Sequence, residues 1–204
     1  METQSLKPTT FVALLLTAIA ATSSGCAQPV TKNEPLESAS VIAAVPRGAD
    51  SQYSETLDAI TSKCGNNAQL VYLYSISNSY LGGQRIDTYV FTAAACGSKG
   101  QLISVLYNRT TGQISIDPQL NDNTNQLLRP IPMSDWNVGY DQAVAAASDA
   151  VRSTFLHDHP TASMIVGLSF RQNEPFRWEI IFKSPQGDSV SLFVDAQAGS
   201  VSSQ

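Results

Sequence analysis

No cluster of lysine or arginine occurs in this chain, and its twelve basic residues stand against seventeen acidic ones, for a net charge of −5. Nucleic-acid backbones are gripped by clustered cations, so nucleic acid is excluded as a main partner. Histidine is nearly absent, and the two copies sit together in His157-Asp158-His159. Positions two apart on a helix diverge by about 200°, so this reads as a polar helix end where histidine suits the negative end of the dipole. His157 and His159 are the only candidate metal ligands of that type. No Gly-x-Ser-x-Gly elbow is present. Gly82-Gly83 and Gly97-Ser98-Lys99-Gly100 lack the spacing of a phosphate loop and read as hairpin turns. Asp141 and Asp149 read as a helix cap and a solvated face. The expectation is a protein that is not an enzyme and carries no cofactor.

Apolar residues make up 43% and charged residues 14% of the 204, the balance of a foldable chain with room for one or two domains. Phe11 to Thr22 (FVALLLTAIAAT) is apolar but falls short of the roughly 20 residues that span a bilayer. It follows a polar start containing Glu2 and Lys7 and leads through Ser23, Ser24 and Gly25 to Cys26. This resembles a bacterial lipoprotein signal, in which the cysteine is acylated and becomes the new N-terminus. Ser23 stands where leucine is usual. An ordinary secretory signal cut nearby, or a hydrophobic N-terminal anchor, is the alternative. The resemblance implies lipidation at Cys26 and a place in the cell envelope. Because Ala27 is not aspartate, it implies the outer membrane, facing the periplasm.

With Cys26 assigned to lipid, Cys64 and Cys96 are left as an even pair in an oxidising compartment, which favours a disulfide. In the chain-entropy model that bond contributes about 3 to 4 kcal/mol. Strand parity opposes it: Cys64 lies on the inward stripe of its helix and Cys96 on an outward strand position, so the bond needs a bulge or a curled strand end.

Residues 1–25 thus read as signal peptide and 26–50 as a flexible tether. A first unit follows at 51–117, a Pro- and Asn-rich linker at 118–135 and a second unit at 136–204. In the first unit Ser54 is the expected N-cap, and Leu57, Ile60 and Cys64 form the apolar helix face. Strands are expected at Gln69–Ser77, Arg85–Ala95, Gln101–Tyr107 and Gln113–Ile116. In the second, Asp141 caps a helix with a stripe of Val144, Ala147, Val151 and Phe155 that ends at His157, before Pro160. Strands follow at Ala162–Phe170, Phe176–Lys183 and Ser189–Val194, and a last short one closes the chain.

Moved by 87 positions, the chain falls on itself: Tyr53 on Tyr140, Gly100 on Gly187, Ser104 on Ser191, Asn108 on Asp195 and Gly112 on Gly199. The aligned glycines sit where a turn or corner requires positive φ, and the fixed period implies a duplication. The predicted fold is α+β, with two tandem units, each one helix packed on a three- to four-stranded antiparallel sheet. Each unit resembles the PepSY domain of bacterial secreted and membrane proteins. DQAVAAASDAV is the helix and SLFVDAQAGSV the Asp-x-x-x-Gly ending of the second copy, and NRTTGQI carries asparagine in place of that aspartate.

The resemblance implies binding, as a modulator of a secreted or envelope peptidase or of another envelope protein, with the membrane as second partner through the lipid. The alternative is a small-ligand or metal-binding envelope protein. Alternation in Phe176, Trp178, Ile180 and Phe182 turns that set toward the helix and leaves Ile181 as the apolar exception on the outward face. Carried back by 87, Tyr89, Phe91, Ala93 and Ala95 face inward. Tyr72, Tyr74, Tyr80, Tyr89 and Tyr107 form either a packed core or, where part of the set is exposed, a binding surface.

Overall fold

The computed structural model describes residues 45–92, 102–120 and 128–203, and the side chains of these except 118–120. The signal segment, Cys26, most of the tether, Ala93, Ala95, Cys96 and the Gly97–Gly100 turn lie outside the described residues.

The elements are α1 (Ser51–Cys64), β1 (Gln69–Ser77), β2 (Arg85–Thr92), β3 (Leu102–Asn108), β4 (Gln113–Leu120), α2 (Tyr140–Val151), α3 (Phe155–Asp158), β5 (Ser163–Ser169), β6 (Arg177–Lys183), β7 (Ser189–Asp195) and β8 (Val201–Ser203). The fold is α+β. All eight strands join one antiparallel sheet in the order β4-β3-β2-β1-β5-β6-β7-β8, where a separate three- to four-stranded sheet was expected for each unit. The reason lies at β1 and β5. Each pairs with its own hairpin partner on one side only, and the free edges satisfy each other's backbone groups from Tyr72↔Ser169 to Ser77↔Met164.

One face of the sheet carries the helices. α1 lies over β3 and β4, and α2 over β6, β7 and β8. The buried side of α1 is Tyr53, Thr56, Ile60 and Cys64, with Leu57 half-buried beside them. Its N-cap is Asp50 rather than Ser54: the Asp50 carboxylate accepts from the Tyr53 N–H at 3.0 Å. α2 starts after Gly139, whose N–H donates to the Gln142 side chain at 3.0 Å, and Asp141 stands in the first turn instead of capping. It ends at Val151, so Phe155 belongs to the one-turn α3 and the buried stripe is Tyr140, Ala143, Ala147 and Val151.

A single apolar core fills the space beneath both helices. At its centre Tyr53, Trp136 and Trp178 follow edge to face, with ring centroids 5.5 and 6.2 Å apart. Trp136 and Trp178 both donate their indole N–H to the Val138 carbonyl, at 3.1 and 2.9 Å. Each tryptophan therefore buries its apolar area without stranding its one polar atom. Residues 45–50 join this body: the Gly48 N–H donates to the Trp136 carbonyl at 2.9 Å. The second half of the linker does so as well, with Ile131 buried and its N–H on the Leu70 carbonyl.

Inward alternation holds as read in β6, and in β2 for Tyr89 and Phe91. The gapless shift of 87 does not carry through β2. Val105 and Leu192 are 87 apart, but their ladder partners are Tyr89 and Ile180, which are 91 apart. The β2–β3 connection spans 93–101 and the β6–β7 connection only 184–188, four residues fewer. Four is even, so each side chain keeps its face although its equivalent changes.

Candidate functional site

On the face of the sheet away from the helices, one row of side chains is left exposed while Thr88 and Val90 beside it are buried. Ile86, Ile76, Ile165 and Ile181 are successive ladder partners on β2, β1, β5 and β6, and they form one line across the strands. Ile76 is 48% and Ile86 46% exposed, and Ile165 and Ile181 are half-buried. β-Branched side chains suit a strand whichever face they take, so propensity alone builds these strands without settling which side is covered.

The next row holds Leu106, Thr88, Tyr74, Gly167, Glu179 and Phe193. Tyr72 and Tyr74 stack on this face with centroids 5.6 Å apart and planes at 30°. Burial pushes the Tyr72 hydroxyl up to about 12, with Glu179 adding to the rise and Arg171 opposing it. Arg177 lies flat on Phe193 with its guanidinium carbon 3.6 Å from the ring centroid, which covers that side chain. At one end Val71, Val90 and Leu102 form a small second cluster closed by Tyr72 and Leu128. The result is an uncharged centre of isoleucine and tyrosine with Arg177, Glu179 and Lys183 along β6.

The tyrosines named from the sequence therefore divide. Tyr89 and Tyr107 are buried in the core, and Tyr80 packs edge-on against Phe182 at 6.1 Å. Tyr72 and Tyr74 alone contribute to the open face. Only Ile181 was marked from the sequence; joining the Ile76–Ile86 hairpin pair to Ile165 and Ile181 needed the pairing of β1 with β5.

A second feature lies on the helix side and was missed from the sequence. Asp87 is fully buried at the ladder position that corresponds to Trp178, since Asp87 pairs with Tyr107 and Trp178 with Val194. Arg85 holds it through Nε and Nη2 at 2.7 and 3.1 Å, and Arg109 holds it through Nε. Arg109 also reaches Gln52, at 2.6 Å, and Asp50. Burial works against the Arg109 charge, and Asp87 and Asp50 outweigh it, so its pKa lies above the ordinary arginine value. Arg85 lies over the Tyr140 ring at 3.3 Å. The network thus ties the starts of both helices to the middle of the sheet. Its sequence signal was Arg85-x-Asp87 at the same inward parity as Tyr89 and Phe91.

His157 and His159 are not brought together. His157 contacts the adjacent Asp158 at 3.0 Å and is mostly exposed, whereas His159 lies against Phe155 and stands 3.8 Å from Asp188. Among the described residues no three His, Cys, Asp or Glu side chains group as a metal site, and no helix is long and apolar enough to cross a membrane. Cys64 is buried on the inner face of α1. Cys26 and Cys96, and with them the acylation and the Cys64–Cys96 pairing expected from the sequence, lie outside the described residues. No family model, no curated protein and no solved structure matches this chain.

Proposed function

We propose that this chain is an exported, lipid-anchored binding protein of the cell envelope that presents the open face of its sheet to another protein. The observation that carries the reading is the uncharged line Ile86-Ile76-Ile165-Ile181 beside the Tyr72–Tyr74 stack, left uncovered on one side of an otherwise well-packed sheet. Contiguous exposed apolar surface with tyrosine at its centre and charge at its rim is the anatomy of a protein interface. The N-terminal resemblance supports export and acylation at Cys26. The PepSY resemblance supports a partner among envelope or secreted proteins, a peptidase among them, by analogy of fold.

The finer architecture belongs to the same proposal: the halves are two copies of one helix-and-strand unit whose sheets have merged. The two corners support it. Asn108 accepts from the Thr110 and Thr111 N–H groups, and Asp195 from those of Gln197 and Ala198. Gly112 and Gly199 follow at φ 68° and 75°, each N–H returning to the carbonyl of residue 108 or 195.

Affinity capture from envelope extract, with the Ile76→Lys chain in parallel, tests the reading. The expected outcome is at least one protein enriched by the native chain and lost with the variant; equal recovery on both sinks it. Intact-mass analysis of the processed protein tests the rest. It reads the cleavage site, any acyl mass on Cys26 and the redox state of Cys64 and Cys96.

A further inference from the structure

We infer that the tip of the β1–β2 hairpin, with Leu81 at its apex, rests in the interface of the bilayer that holds the lipid anchor. The inference takes acylation at Cys26 from the reading above and adds a second contact with the same membrane, separate from the protein-binding row of the sheet.

Leu81 is 73% exposed, more than any other large apolar side chain among the described residues. Ile76 and Ile86, two of the four others that are exposed, are ladder partners on the same hairpin. Exposed apolar surface is thus gathered on this hairpin rather than scattered singly.

The loop holds the leucine out without stranding the backbone that leads to it. The Asn78 N–H donates to the Gln84 carbonyl at 3.4 Å and the Tyr80 N–H to the Ala162 carbonyl at 3.1 Å. The Ser79 and Leu81 N–H groups donate to Ser77 Oγ and Ser79 Oγ, at 3.4 and 3.2 Å. An unpartnered donor is costly where water is scarce, and these four carry no such cost.

Charge points to the same part of the molecule. No Asp, Glu, Lys or Arg occurs from Gly65 to Gln84, and Arg85 turns inward onto Asp87. Lys183 and Asp188 share this end of the sheet but belong to β6 and the turn after it, about 10 Å away across two strands. With a net charge of −5 the chain as a whole is repelled by an anionic bilayer, and the uncharged hairpin is the part that can approach.

Area selects the occupant. A stable protein contact covers about 800 Å² on each side, and an apex of one leucine beside Ser79, Gly82 and Gly83 is far smaller. So small a contact persists only with a partner already within reach, because free association costs translational and rotational freedom. Eighteen residues, 27–44, separate Cys26 from Val45, and that length of chain extends at most about 65 Å. The acyl group therefore confines the hairpin near the bilayer and makes a weak second contact intramolecular.

The full acylated chain, reconstituted on vesicles of phosphatidylethanolamine and phosphatidylglycerol brominated near the headgroup, tests this. Trp136 and Trp178 are the only tryptophans and are 2% and 1% exposed, so an added surface tryptophan reports its own surroundings. In Leu81→Trp the added emission is expected to shift to the blue and to be quenched by about half or more, as for an aromatic ring at the interface. In Asn67→Trp, placed in the exposed turn at the other end of β1, it is expected to stay unquenched. Equal quenching of both overturns the inference, because tryptophan's own preference for the interface then accounts for it. A chain that floats with the vesicles while Leu81→Trp stays unquenched overturns the tip contact and leaves the anchor standing. A chain that does not float overturns both. A blue shift that appears only on adding envelope extract, without bromine quenching, assigns the tip to a protein and overturns the bilayer as its occupant.

Discussion

Tyr72 lies across Gly167, two residues along the adjacent strand from its ladder partner Ser169: a Cβ on Gly167 would stand 2.9 Å from the tyrosine hydroxyl and 3.5 Å from its ring carbons. The missing side chain makes room for the aromatic ring, and the ring in turn covers backbone that glycine leaves bare. This contact spans the seam between the two halves of the sheet.

Gly167→Ala is therefore expected to swing Tyr72 away and break its stack with Tyr74 while leaving the fold intact. Crowding costs about 1 to 3 kcal/mol, and removing glycine from a strand returns about 0.5 to 1. The net loss is about 1 kcal/mol, read from the urea midpoint. The near-ultraviolet tyrosine signal should change more than the midpoint does.

Asp87→Ala leaves two guanidinium groups facing each other over a void, and loss of one member of a buried pair costs about 3 to 5 kcal/mol. The loss should appear as a lower midpoint in chemical denaturation. Removing the opposing charge as well, in Asp87→Leu with Arg109→Leu, should recover part of it. A double variant no more stable than Asp87→Ala would show that Arg109 does not depend on that carboxylate.

Gly112→Ala and Gly199→Ala should each destabilise by about 1 to 2 kcal/mol, because a left-handed φ penalises a Cβ. Both sites have space, since Gly112 meets only the Tyr107 hydroxyl at 4.0 Å and Gly199 the Val138 side chain at 3.6 Å. Strain, not collision, sets the cost, so the two losses should be alike. Thermal unfolding of the two variants side by side checks this.

Stability should fall in alkali. Burial pushes Tyr53 up to about 12, and burial with Glu179 pushes Tyr72 to about 12 as well. A raised tyrosine pKa means the folded chain keeps a proton that the unfolded chain releases near pH 10. Stability from these groups is complete below about pH 10, declines as pH rises toward about 12 and then levels off. Urea unfolding at a series of pH values is the measurement. No change in midpoint between pH 9 and 12 would contradict it.

Much of the local structure was legible because local patterns cause it. β1 runs over the expected residues, and alternation alone turns Phe176, Trp178, Ile180 and Phe182 inward. Where two local signals competed, the sequence misplaced the boundary. Asp50 precedes Ser54 and takes the cap, and the break at residues 152–154 separates Phe155 from the α2 stripe. Asp87 was hidden by its own parity: alternation places it inward with Tyr89, and Arg85 from its own strand together with Arg109 from the next hairpin makes that burial affordable.

By itself the sequence determined the α+β class, the strands with their inner and outer faces, and the glycine corners, since each follows from residues close together in the chain. It could not decide that β1 and β5 pair, because unpaired backbone groups on a strand edge carry no residue-specific signal. That one long-range contact merges eight strands into one sheet, aligns four isoleucines drawn from both halves and places Tyr72 over Gly167. The open face is a product of tertiary structure, because neither half contains the whole line.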